Sequence, residues 1–410
     1  MRFTSVAAVE PAPVKASKPR VAAAPTAPPR MVVQLVDDPA RLAEHVAAWD
    51  DLAANAPEPN VFYESWMLRP AVAAFSAQET LAFVFVYQVN PDRPHERPLL
   101  CAFFPFERQR RYKRLPVSAL RLWKHVHCFL CTPLLRASHG REALAALFNW
   151  ARHDPQGSAL VDFHFVTGDG PFQQLLVDYL HEHGNLHAAS EAFNRALFRK
   201  RENAEAFLKA ALSTGYRKEM RRLRKRLGET GRLESRLLTR IEDLDPWLDQ
   251  FLKLEASGWK GRAGENSAIG LHARETTFFR EAARAALDRR RLQALGLFLD
   301  GHPIAMTVNF LTGDGGFHFK IAYDESLAKY SPGVQLELDL IQHAHDNAKL
   351  RWLDSCAIPN HPMINRLWPE RRTIHNVLVS TGRWRGDLTV SALPLLRWLG
   401  RLWRGRKKMQ

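Results

Sequence analysis

The chain has 410 residues, of which 46% are hydrophobic and 25% are charged. This balance is typical of a folded protein and excludes a fibrous or wholly disordered chain. The length predicts two or three domains. No apolar run approaches the roughly 18 residues that a membrane-spanning helix needs, so the sequence predicts no membrane span. The chain has only 4 cysteines, too few for a disulfide framework, which indicates a reducing compartment.

Positive charge is concentrated in two segments. The chain holds 58 Lys and Arg against 43 Asp and Glu, a formal net charge of +15. Residues 217–226 contain 7 basic residues and 1 Glu, and residues 383–408 contain 8 basic residues and 1 Asp. The rest of the chain is close to neutral. A local excess of this kind predicts an anionic partner such as phosphate, phospholipid or nucleic acid.

The first half begins after a low-complexity segment. Residues 1–30 are mainly Ala, Pro and Val with scattered cations, which predicts a disordered tail without a secretory signal. Residues 31–200 then alternate strands and helices. The predicted elements are a strand from Met31, helices over 39–55 and from Ser65, strands over 81–89 and 97–107, a helix over 142–152, a strand over 160–167 and a helix over 171–183.

A basic helical insertion over 201–232 separates this half from a second one over 233–385, in which the elements are more legible. The predicted elements are a strand over 233–239, helices over 245–260 and 273–290, three strands joined by Asp-Gly and Gly-Asp-Gly-Gly turns, a helix opening at Ser331, a strand over 351–357, a short helix over 361–368 and a strand over 373–380.

This element order resembles the GNAT acyltransferase fold, and the chain shows two copies of it. The segments FLKLEASGWKGRAG (251–264), FHFKIAYDESLAKYSPGVQLELDLI (317–341) and LDSCAIPNHPMINRLWPERR (353–372) resemble the CelD-like acetyltransferases of cellulose and exopolysaccharide clusters. That family is distantly similar to the Fem peptidyl transferases. The resemblance implies an α/β (α+β) fold of tandem GNAT-like domains, each a mixed, mostly antiparallel sheet flanked by helices.

The segment Ser331-Pro332-Gly333-Val334-Gln335 predicts the cofactor site. A helix N-terminus offers free N–H groups and the positive end of a dipole to the pyrophosphate of an acyl-CoA such as acetyl-CoA. Ser331 can cap this helix, Pro332 suits its first turn, and Gly333 lets a phosphate approach. The GNAT loop has more glycines than this segment, which leaves the alternative that Ser-Pro-Gly merely starts a helix. The first half shows no counterpart, so we expect it to be a degenerate domain that serves as a substrate wall.

Catalytic candidates lie at the ends of two predicted strands. The resemblance places the acyl group near Lys320, which can stabilise charge on the thioester oxygen. Asp324, or the neighbouring Glu325, can accept a proton from the attacking group. Asp354 ends the following strand, on the side where the two strands separate. For each residue the alternative is a charged strand end that faces water.

Two cysteine-containing segments are not expected to react. Cys356 lacks a surrounding Cys/His/Asn signature and GNAT transfer is direct, so a buried strand cysteine is the better interpretation. The segment His125-Val-His-Cys-Phe-Leu-Cys131 has metal-ligand residue types but a single Cys-x-x-Cys, and its alternation fits a strand. We therefore predict no metal site.

The two basic segments predict different partners. Residues 216–227 read as a helix with Met220, Leu223 and Leu227 on one side and cations elsewhere, which fits a solvated helix or, by the Fem resemblance, tRNA binding. Residues 386–410 form a basic amphipathic tail, and residues 390–408 place Leu and Trp opposite the cations. We expect this tail to be unstructured or loosely docked in solution and helical on an anionic membrane surface. The alternative is docking onto the protein's own body.

The function that these expectations support is an acyl-CoA-dependent N- or O-acyltransferase whose second half is catalytic. By resemblance, its acceptor is a sugar or polysaccharide precursor. One alternative is a Fem-like transferase that uses aminoacyl-tRNA, and another is a non-catalytic accessory protein of envelope polysaccharide biosynthesis. The expected location is the cytoplasm, with peripheral attachment to the inner face of the membrane.

Overall fold

The computed structural model describes residues 29–93, 95–393 and 395. Its strands form one 13-stranded sheet that runs through both halves of the chain. The strands of the first half are β1 (Arg30–Val36), β2 (Leu81–Val89), β3 (Leu99–Gln109), β4 (Ala119–Leu122), β5 (Leu134–Leu135), β6 (Leu160–Thr167) and β7 (His187–Arg199). Those of the second half are β8 (Leu233–Leu237), β9 (Leu292–Leu299), β10 (His302–Thr312), β11 (Gly315–Tyr323), β12 (Trp352–Asp354) and β13 (Glu370–Ser380).

Helices pack on both faces of this sheet. The first half contains α1 (Val46–Ala54), α2 (Ser65–Phe75), α3 (Gly140–His153) and α4 (Pro171–Glu182). The insertion forms α5 (Ala204–Ala211) and α6 (Thr214–Gly228), and the second half contains α7 (Leu244–Ser257), α8 (Ala273–Asp288), α9 (Pro332–Asp346) and α10 (Ile364–Leu367). The predicted tandem GNAT-like architecture is confirmed, because each half follows the expected order of strands and helices.

The two halves exchange their last strands. The order across the sheet is β1-β2-β3-β4-β6-β13-β7-β12-β11-β10-β9-β8, and β5 pairs with β3 off this path. The last strand of the second half, β13, therefore lies between β6 and β7 of the first half. In the same way β7 pairs with β12 of the second half. The sheet is continuous because each half completes the other, an arrangement that the sequence analysis did not predict.

The apolar core also crosses between the halves. The ring of Phe62 in the first half meets that of Phe317 on β11 edge to face, with 5.0 Å between centroids. Phe129 meets Phe319 in the same way at 5.8 Å. Because aromatic side chains bury large areas and pack specifically, these contacts hold the halves in one orientation.

The helix predicted over 216–227 in the basic insertion is confirmed, as part of α6. In α6 the residues Met220, Leu223 and Leu227 are buried, and the intervening cations are exposed or half-buried. This spacing of three and four residues gives the narrow apolar stripe of a surface helix. The helix packs against the second half through that stripe.

The C-terminal segment is only partly described. Residues 384–393 are helical, and Val390 is buried with Tyr112 and Val117 of the first half. This part of the tail is therefore docked on the first half, as in the alternative of docking onto the protein's own body. The expectation for the rest of 390–408 stays a prediction. Residues 396–410, which carry most of the predicted membrane-binding face, lie outside the described residues.

Candidate active site

The strands β11 and β12 separate after a short parallel pairing. They pair only at Gly315 with Trp352, Gly316 with Leu353 and Phe317 with Asp354. Beyond that point β12 ends, and the other edge of β12 is taken by β7. Among the described residues, the rest of β11 therefore has no strand partner on this edge. A strand edge that is left open presents backbone N–H and C=O groups to a ligand.

A cleft of about 480 Å³ opens beside this separation, at the start of α9. Four of the five residues predicted for the cofactor line it. The lining is Ser331, Pro332, Gly333 and Val334 at the start of α9, Ile321 and Tyr323 on β11, Trp259 and Lys260 after α7, Ala328, and Ile358, His361, Pro362 and Met363 after β12. The structure thus brings the predicted cofactor segment to the open edge of β11.

The first turn of α9 faces the cleft with free backbone donors. Pro332 is the first helical residue, as predicted, and the N–H of Gln335 closes the first helical bond with the carbonyl of Ser331 at 3.0 Å. The N–H groups of Gly333 and Val334 come before that bond and have no acceptor within the helix. Together with the helix dipole they favour an anion. Ser331 itself is left-handed (φ 54°, ψ 53°) and makes no side-chain cap, contrary to the prediction.

Gly333 borders the narrowest part of this turn. A Cβ at this position would lie 3.2 Å from Cδ1 of Tyr323 and 3.5 Å from Sδ of Met363. The first distance is tighter than ordinary side-chain contacts. A larger residue at 333 must therefore displace the Tyr323 ring or project into the cleft.

Gln335 does not contribute its side chain to the cleft. This side chain is buried on the other side of α9, where Nε2 donates to the carbonyl oxygen of Met220 at 3.0 Å. The bond joins α9 to the basic helix α6. Of the five residues predicted for the cofactor, only Ser331–Val334 therefore line the cleft. Gln335 instead links α9 to α6.

Lys320 lies on the open segment of β11. The register between β10 and β11 shifts beside it, which places a β-bulge at Phe319. No acceptor and no ion-pair partner of the Lys320 ammonium group is found in the described part of the chain. Burial lowers the pKa of Lys320, and the nearby charge of Lys260 lowers it further. Lys320 is not among the residues that line the cleft, which β11 borders through Ile321 and Tyr323. Of the predicted catalytic side chains, it is the one for which the described residues provide no partner.

Asp324 and Glu325 hold local structure instead of facing the cleft. Oδ1 of Asp324 accepts from the N–H of Ser326 at 2.9 Å and so caps the 3₁₀ turn that follows. Oε1 of Glu325 accepts from the N–H of Trp259 at 2.7 Å, and its other oxygen pairs with Arg262. Neither carboxylate lines the cleft, so the proton-acceptor role predicted for this pair has no support in the geometry.

Asp354 is buried in an ion-pair cluster rather than free at a strand end. Oδ2 accepts from Arg195 on β7 at 2.7 Å and from Arg372 on β13 at 2.8 Å. Burial alone would raise the pKa of Asp354, but the two guanidinium groups outweigh it and hold the pKa below its ordinary value. A carboxylate held in this way is a poor proton acceptor. The catalytic role predicted for Asp354 is replaced by a structural one.

Cys356 follows this cluster. Its backbone N–H donates to Oδ1 of Asp354 at 2.9 Å. Burial raises the pKa of the Cys356 thiol well above its ordinary value, and the charge of Asp354 raises it further. Because the thiolate is the nucleophilic form, this environment does not favour a nucleophile.

A buried ion pair that the sequence analysis missed borders the cleft. Nζ of Lys260 lies 2.9 Å from Oε1 of Glu255 and 3.1 Å from the carbonyl oxygen of Ile321. The second carboxylate oxygen of Glu255 accepts from the N–H of Ile269 at 2.9 Å. Because Ile321 belongs to the open segment of β11, Lys260 fixes the backbone of that segment. Both residues lie in the segment 251–264, whose sequence resembles the CelD-like acetyltransferases but does not by itself indicate that these two residues pair.

His361 is a second missed residue of the cleft. Its Nδ1 accepts from the N–H of Ile364 at 3.3 Å, so the neutral ring carries its proton on Nε2. Burial lowers the pKa of His361, and the neighbouring His318 and Lys260 lower it further. The ring is therefore neutral at physiological pH and places a hydrogen-bond donor in the wall of the cleft.

The segment 125–131 contacts the second half through a side-chain hydrogen bond. Nε2 of His127 lies 2.8 Å from a carboxylate oxygen of Glu275 on α8. The ring of His125 stacks on Phe75 with 4.9 Å between centroids. Among the described residues, no group of His, Cys, Asp and Glu has the arrangement of a metal site. The pair His127–Glu275 joins the halves near Lys320, and no local sequence pattern could have shown it, since its members are 148 residues apart.

The first half is closely packed at the corresponding helix start. Here α3 starts at Gly140, as α9 starts at Pro332 in the second half. A Cβ at Gly140 would lie 2.5 Å from Cδ2 of Leu175 and 3.7 Å from Cδ2 of Leu135. Leucine side chains from α4 and β5 thus pack against the start of α3, whereas the start of α9 borders a cleft. That the first half is a degenerate domain stays a prediction.

Comparison with known proteins finds one family match, which covers the basic helix α6 and most of the second half. Residues 214–361 match the family model of the acetyltransferase (GNAT) domain. Among curated proteins, none matches this sequence. Residues 214–361 are therefore similar to a GNAT acetyltransferase domain, while the narrower resemblance to the CelD-like family stays a prediction.

Solved structures share the fold over most of the chain. A conserved protein of unknown function from Bacteroides thetaiotaomicron is 9% identical, with a TM-score of 0.52 over 85% of this chain and 100% of its own. FemX is 10% identical, with a TM-score of 0.52 over 84% of this chain and 96% of its own. A tandem GNAT protein from the clavulanic acid biosynthesis pathway is 14% identical, with a TM-score of 0.43 over 86% and 99%. At these identities the similarity concerns the fold alone.

Proposed function

We propose that the protein is an acyl-CoA-dependent acyltransferase that binds its donor in the cleft at the start of α9. One observation carries the proposal: the open edge of β11 and the free N–H groups of Gly333 and Val334 border the same cleft. Acyl-CoA has the matching chemistry, since its pyrophosphate suits a helix N-terminus and its amide-containing arm suits an open strand edge. At the start of α3 in the first half, Leu175 and Leu135 pack close to Gly140.

In this proposal the acceptor attacks the thioester carbon directly. A bond forms from the acceptor nitrogen or oxygen to the carbonyl carbon, the carbon–sulfur bond breaks, and CoA leaves as the thiolate, which takes up the proton that the acceptor loses. Negative charge develops on the carbonyl oxygen during attack. Backbone N–H groups of the open β11 segment and the ammonium group of Lys320 stabilise it. Positioning of donor and acceptor supplies much of the remaining acceleration.

The acceptor is proposed to be a sugar or polysaccharide precursor. This part rests on the resemblance of segments 251–264, 317–341 and 353–372 to the CelD-like acetyltransferases. An acetyl-CoA turnover assay that follows thiol release tests it, with amino sugars, neutral sugars and nucleotide sugars as acceptors. Release that depends on a sugar supports the proposal. Release that no sugar stimulates argues against this acceptor class.

The donor is tested by binding. Acetyl-CoA, longer acyl-CoAs, free CoA and aminoacyl-tRNA are titrated against the full chain in thermal-shift and calorimetric experiments. At a hundredfold excess over its dissociation constant, a ligand stabilises the folded protein by about 2.7 kcal/mol. We expect this stabilisation from an acyl-CoA, with little dependence on salt. Binding of aminoacyl-tRNA alone, falling steeply with salt, would establish the Fem-like alternative. No binding by any of the four would favour the accessory protein.

A further inference from the structure

Large apolar side chains are exposed along one side of the helix at 384–393. Trp384, Leu388 and Leu395 are 69%, 63% and 58% exposed. Trp384 and Leu388 are four residues apart, which places them within about 40° of each other around the helix, and Leu395 follows the continuous described part of the helix at 384–393. Exposed Ser391 lies between Leu388 and Leu395. Large exposed apolar side chains grouped in this way, with a Trp among them, are unusual for a surface that faces only water, and we call them the stripe.

The opposite side of this helix is fixed to the protein. Val390 is 4% exposed and belongs to a cluster with Tyr112 and Val117. Gly386, one turn earlier, is so close to the first half that a Cβ there would lie 2.1 Å from the carbonyl oxygen of Ala159. Positions 386 and 390 lie roughly opposite the stripe at 100° per residue. The stripe is therefore held facing away from the body of the protein.

Four cations lie in the loop that supports this helix. Arg110, Arg111, Lys113 and Arg114, between β3 and β4, are all exposed. Within the described part of the chain none of the four forms an ion pair with a carboxylate, whereas Arg108 just before them pairs with Asp154.

The loop and the helix share one hydrophobic cluster. Tyr112, in the middle of the four cations, is buried, and it packs with Val117 against Val390 of the helix. The loop that carries the four cations and the helix that carries the stripe are therefore neighbouring segments, joined through this cluster. We name the set Arg110, Arg111, Lys113, Arg114, Trp384, Leu388 and Leu395 the basic–apolar surface.

The chain that continues from this surface has the same chemistry. Residues 396–410 contain six Lys and Arg, two Trp and no Asp or Glu. They begin one residue after Leu395, the last member of the stripe, so the cationic and aromatic character extends from the described surface into the remaining sequence.

We propose that the basic–apolar surface binds the surface of an anionic phospholipid bilayer. Each Lys or Arg near such a surface contributes about 1 kcal/mol, and Trp and Leu side chains enter the boundary between headgroups and acyl chains. No helix in the described ranges is both long and apolar enough to cross a bilayer, which agrees with attachment from one side. The proposal does not depend on the identity of the acyl donor.

Two other partners fit the surface less well. A nucleic acid would use the cations but would leave Trp384 and Leu388 exposed beside a charged backbone. The helix α6 carries four comparable exposed cations, Lys218, Arg221, Lys225 and Arg226, without an apolar stripe between them. A second copy of the chain would bring four cations against four cations. A bilayer with anionic headgroups satisfies both the charge and the apolar stripe.

The test is vesicle sedimentation of the full chain, with vesicles of phosphatidylcholine alone or mixed with phosphatidylglycerol. One variant changes Arg110, Arg111, Lys113 and Arg114 to Gln, and its control changes Lys218, Arg221, Lys225 and Arg226 to Gln, with the same change in net charge. A second variant is Trp384→Ser with Leu388→Ser, and its control is Ile241→Ser with Leu271→Ser, which are also exposed. Melting temperatures show that each protein is folded. Total tRNA serves as a competing probe at the same salt.

We expect the unmodified chain to bind the anionic vesicles at least about tenfold more tightly than the neutral ones. Both surface variants should weaken that binding about tenfold or more, and both controls should leave it within about twofold. Equal losses in the α6 control would mean that net charge alone drives binding, and the proposal fails. It fails as well if the loop variant loses tRNA binding while vesicle binding is unchanged, or if the Trp384/Leu388 variant binds vesicles normally.

Discussion

Arg195 on β7 and Asp354 on β12 form a buried ion pair that joins the two halves of the chain, with 2.7 Å between Nη2 and Oδ2. The same guanidinium group donates from Nη1 to the carbonyl oxygen of Phe129 at 2.6 Å. Arg372 on β13 is the second guanidinium group that donates to Asp354. The pair therefore lies where the exchanged strands meet. It holds β12 in place at the point where β11 and β12 separate beside the cleft.

Replacing Asp354 by Asn is expected to destabilise the protein strongly. The variant leaves the Arg195 guanidinium buried without its counter-charge, and breaking a buried pair in this way costs about 3–5 kcal/mol. The control is Asp339→Asn, which removes the negative charge from the ion pair Arg224–Asp339. This pair is more exposed than Arg195–Asp354, so the change is expected to cost about 1 kcal/mol or less. Urea unfolding followed by tryptophan fluorescence measures both. Equal midpoints for the two variants would contradict the structural role of Asp354.

The same carboxylate predicts a pH dependence of stability. The folded-state pKa of Asp354 is below its ordinary value, so the unfolded chain takes up this proton first as the pH falls. The contribution of Asp354 to stability is therefore complete above an ordinary Asp pKa of about 4 and is lost as the pH falls through the folded-state value. The difference in unfolding free energy between the unmodified chain and Asp354→Asn should shrink below about pH 4. A difference that stays constant from neutral to acid pH would refute this assignment.

Sequence reasoning located the elements whose signal is local. The start of α9 could be predicted because Ser-Pro-Gly before an apolar helix is a local pattern, and residues 331–334 do line the cleft. The strand β7 was missed because its first eight residues are largely exposed and lack a clear alternation, and only 195–198 are buried. Its pairing partners come from the other half, so no local pattern marks the strand exchange.

The roles of the charged residues depended on partners that are distant in sequence. Asp354 reads as a free strand end until Arg195, 159 residues earlier, is placed beside it. Gln335 reads as a loop residue until Met220 is seen to accept its amide. Lys320 remains a candidate for contact with a ligand because, in the described ranges, no side chain or carbonyl group bonds to its ammonium group. Contacts between separate elements, rather than the elements themselves, decided which candidates remained.

Gly333→Asp is expected to abolish binding of CoA and acyl-CoA. The new side chain meets Tyr323, and its carboxylate repels a phosphate at the start of α9. The control is Gly215→Asp, since Gly215 is the second residue of α6 as Gly333 is of α9, and its Cβ would meet nothing within 4 Å. Calorimetric titration should show at least about a hundredfold loss for Gly333→Asp, or about 2.7 kcal/mol. Unchanged affinity in a folded Gly333→Asp protein would remove the proposed donor site.

His139→Ala, before α3, is expected to leave CoA affinity within about twofold. The space at the start of α3 is occupied by Leu175 and Leu135, so no donor binds there. Within the described chain the side chain of His139 bonds only to its neighbour Ser138, so its removal should not disturb the fold. A tenfold loss of affinity would mean that the first half holds the donor and that the assignment of the two halves is reversed.

Lys320 is expected to be an unusually reactive amine that an acyl-CoA protects. Its lowered pKa increases the fraction of neutral amine at any given pH, and the neutral form is the one that reacts with acylating reagents. Competitive labelling with acetic anhydride, read by mass spectrometry, should show Lys320 reaching half of its maximal labelling at a lower pH than an ordinary lysine with a pKa of about 10.4. The exposed Lys218 on α6 serves as the control for protection. Saturating acetyl-CoA should then reduce labelling of Lys320 and leave Lys218 unaffected, because the proposed donor lies along the segment of β11 that carries Lys320.

The variant Lys320→Met completes this prediction. Removing the ammonium group takes away charge stabilisation in the transition state, which is expected to lower kcat about a hundredfold or more with donor affinity nearly unchanged. Lys320→Arg keeps the charge and should retain more of the activity than Lys320→Met. Thermal stability should not fall in Lys320→Met, since no described residue bonds to the ammonium group. If kcat is unchanged while donor affinity drops, Lys320 binds the donor and does not stabilise the transition state.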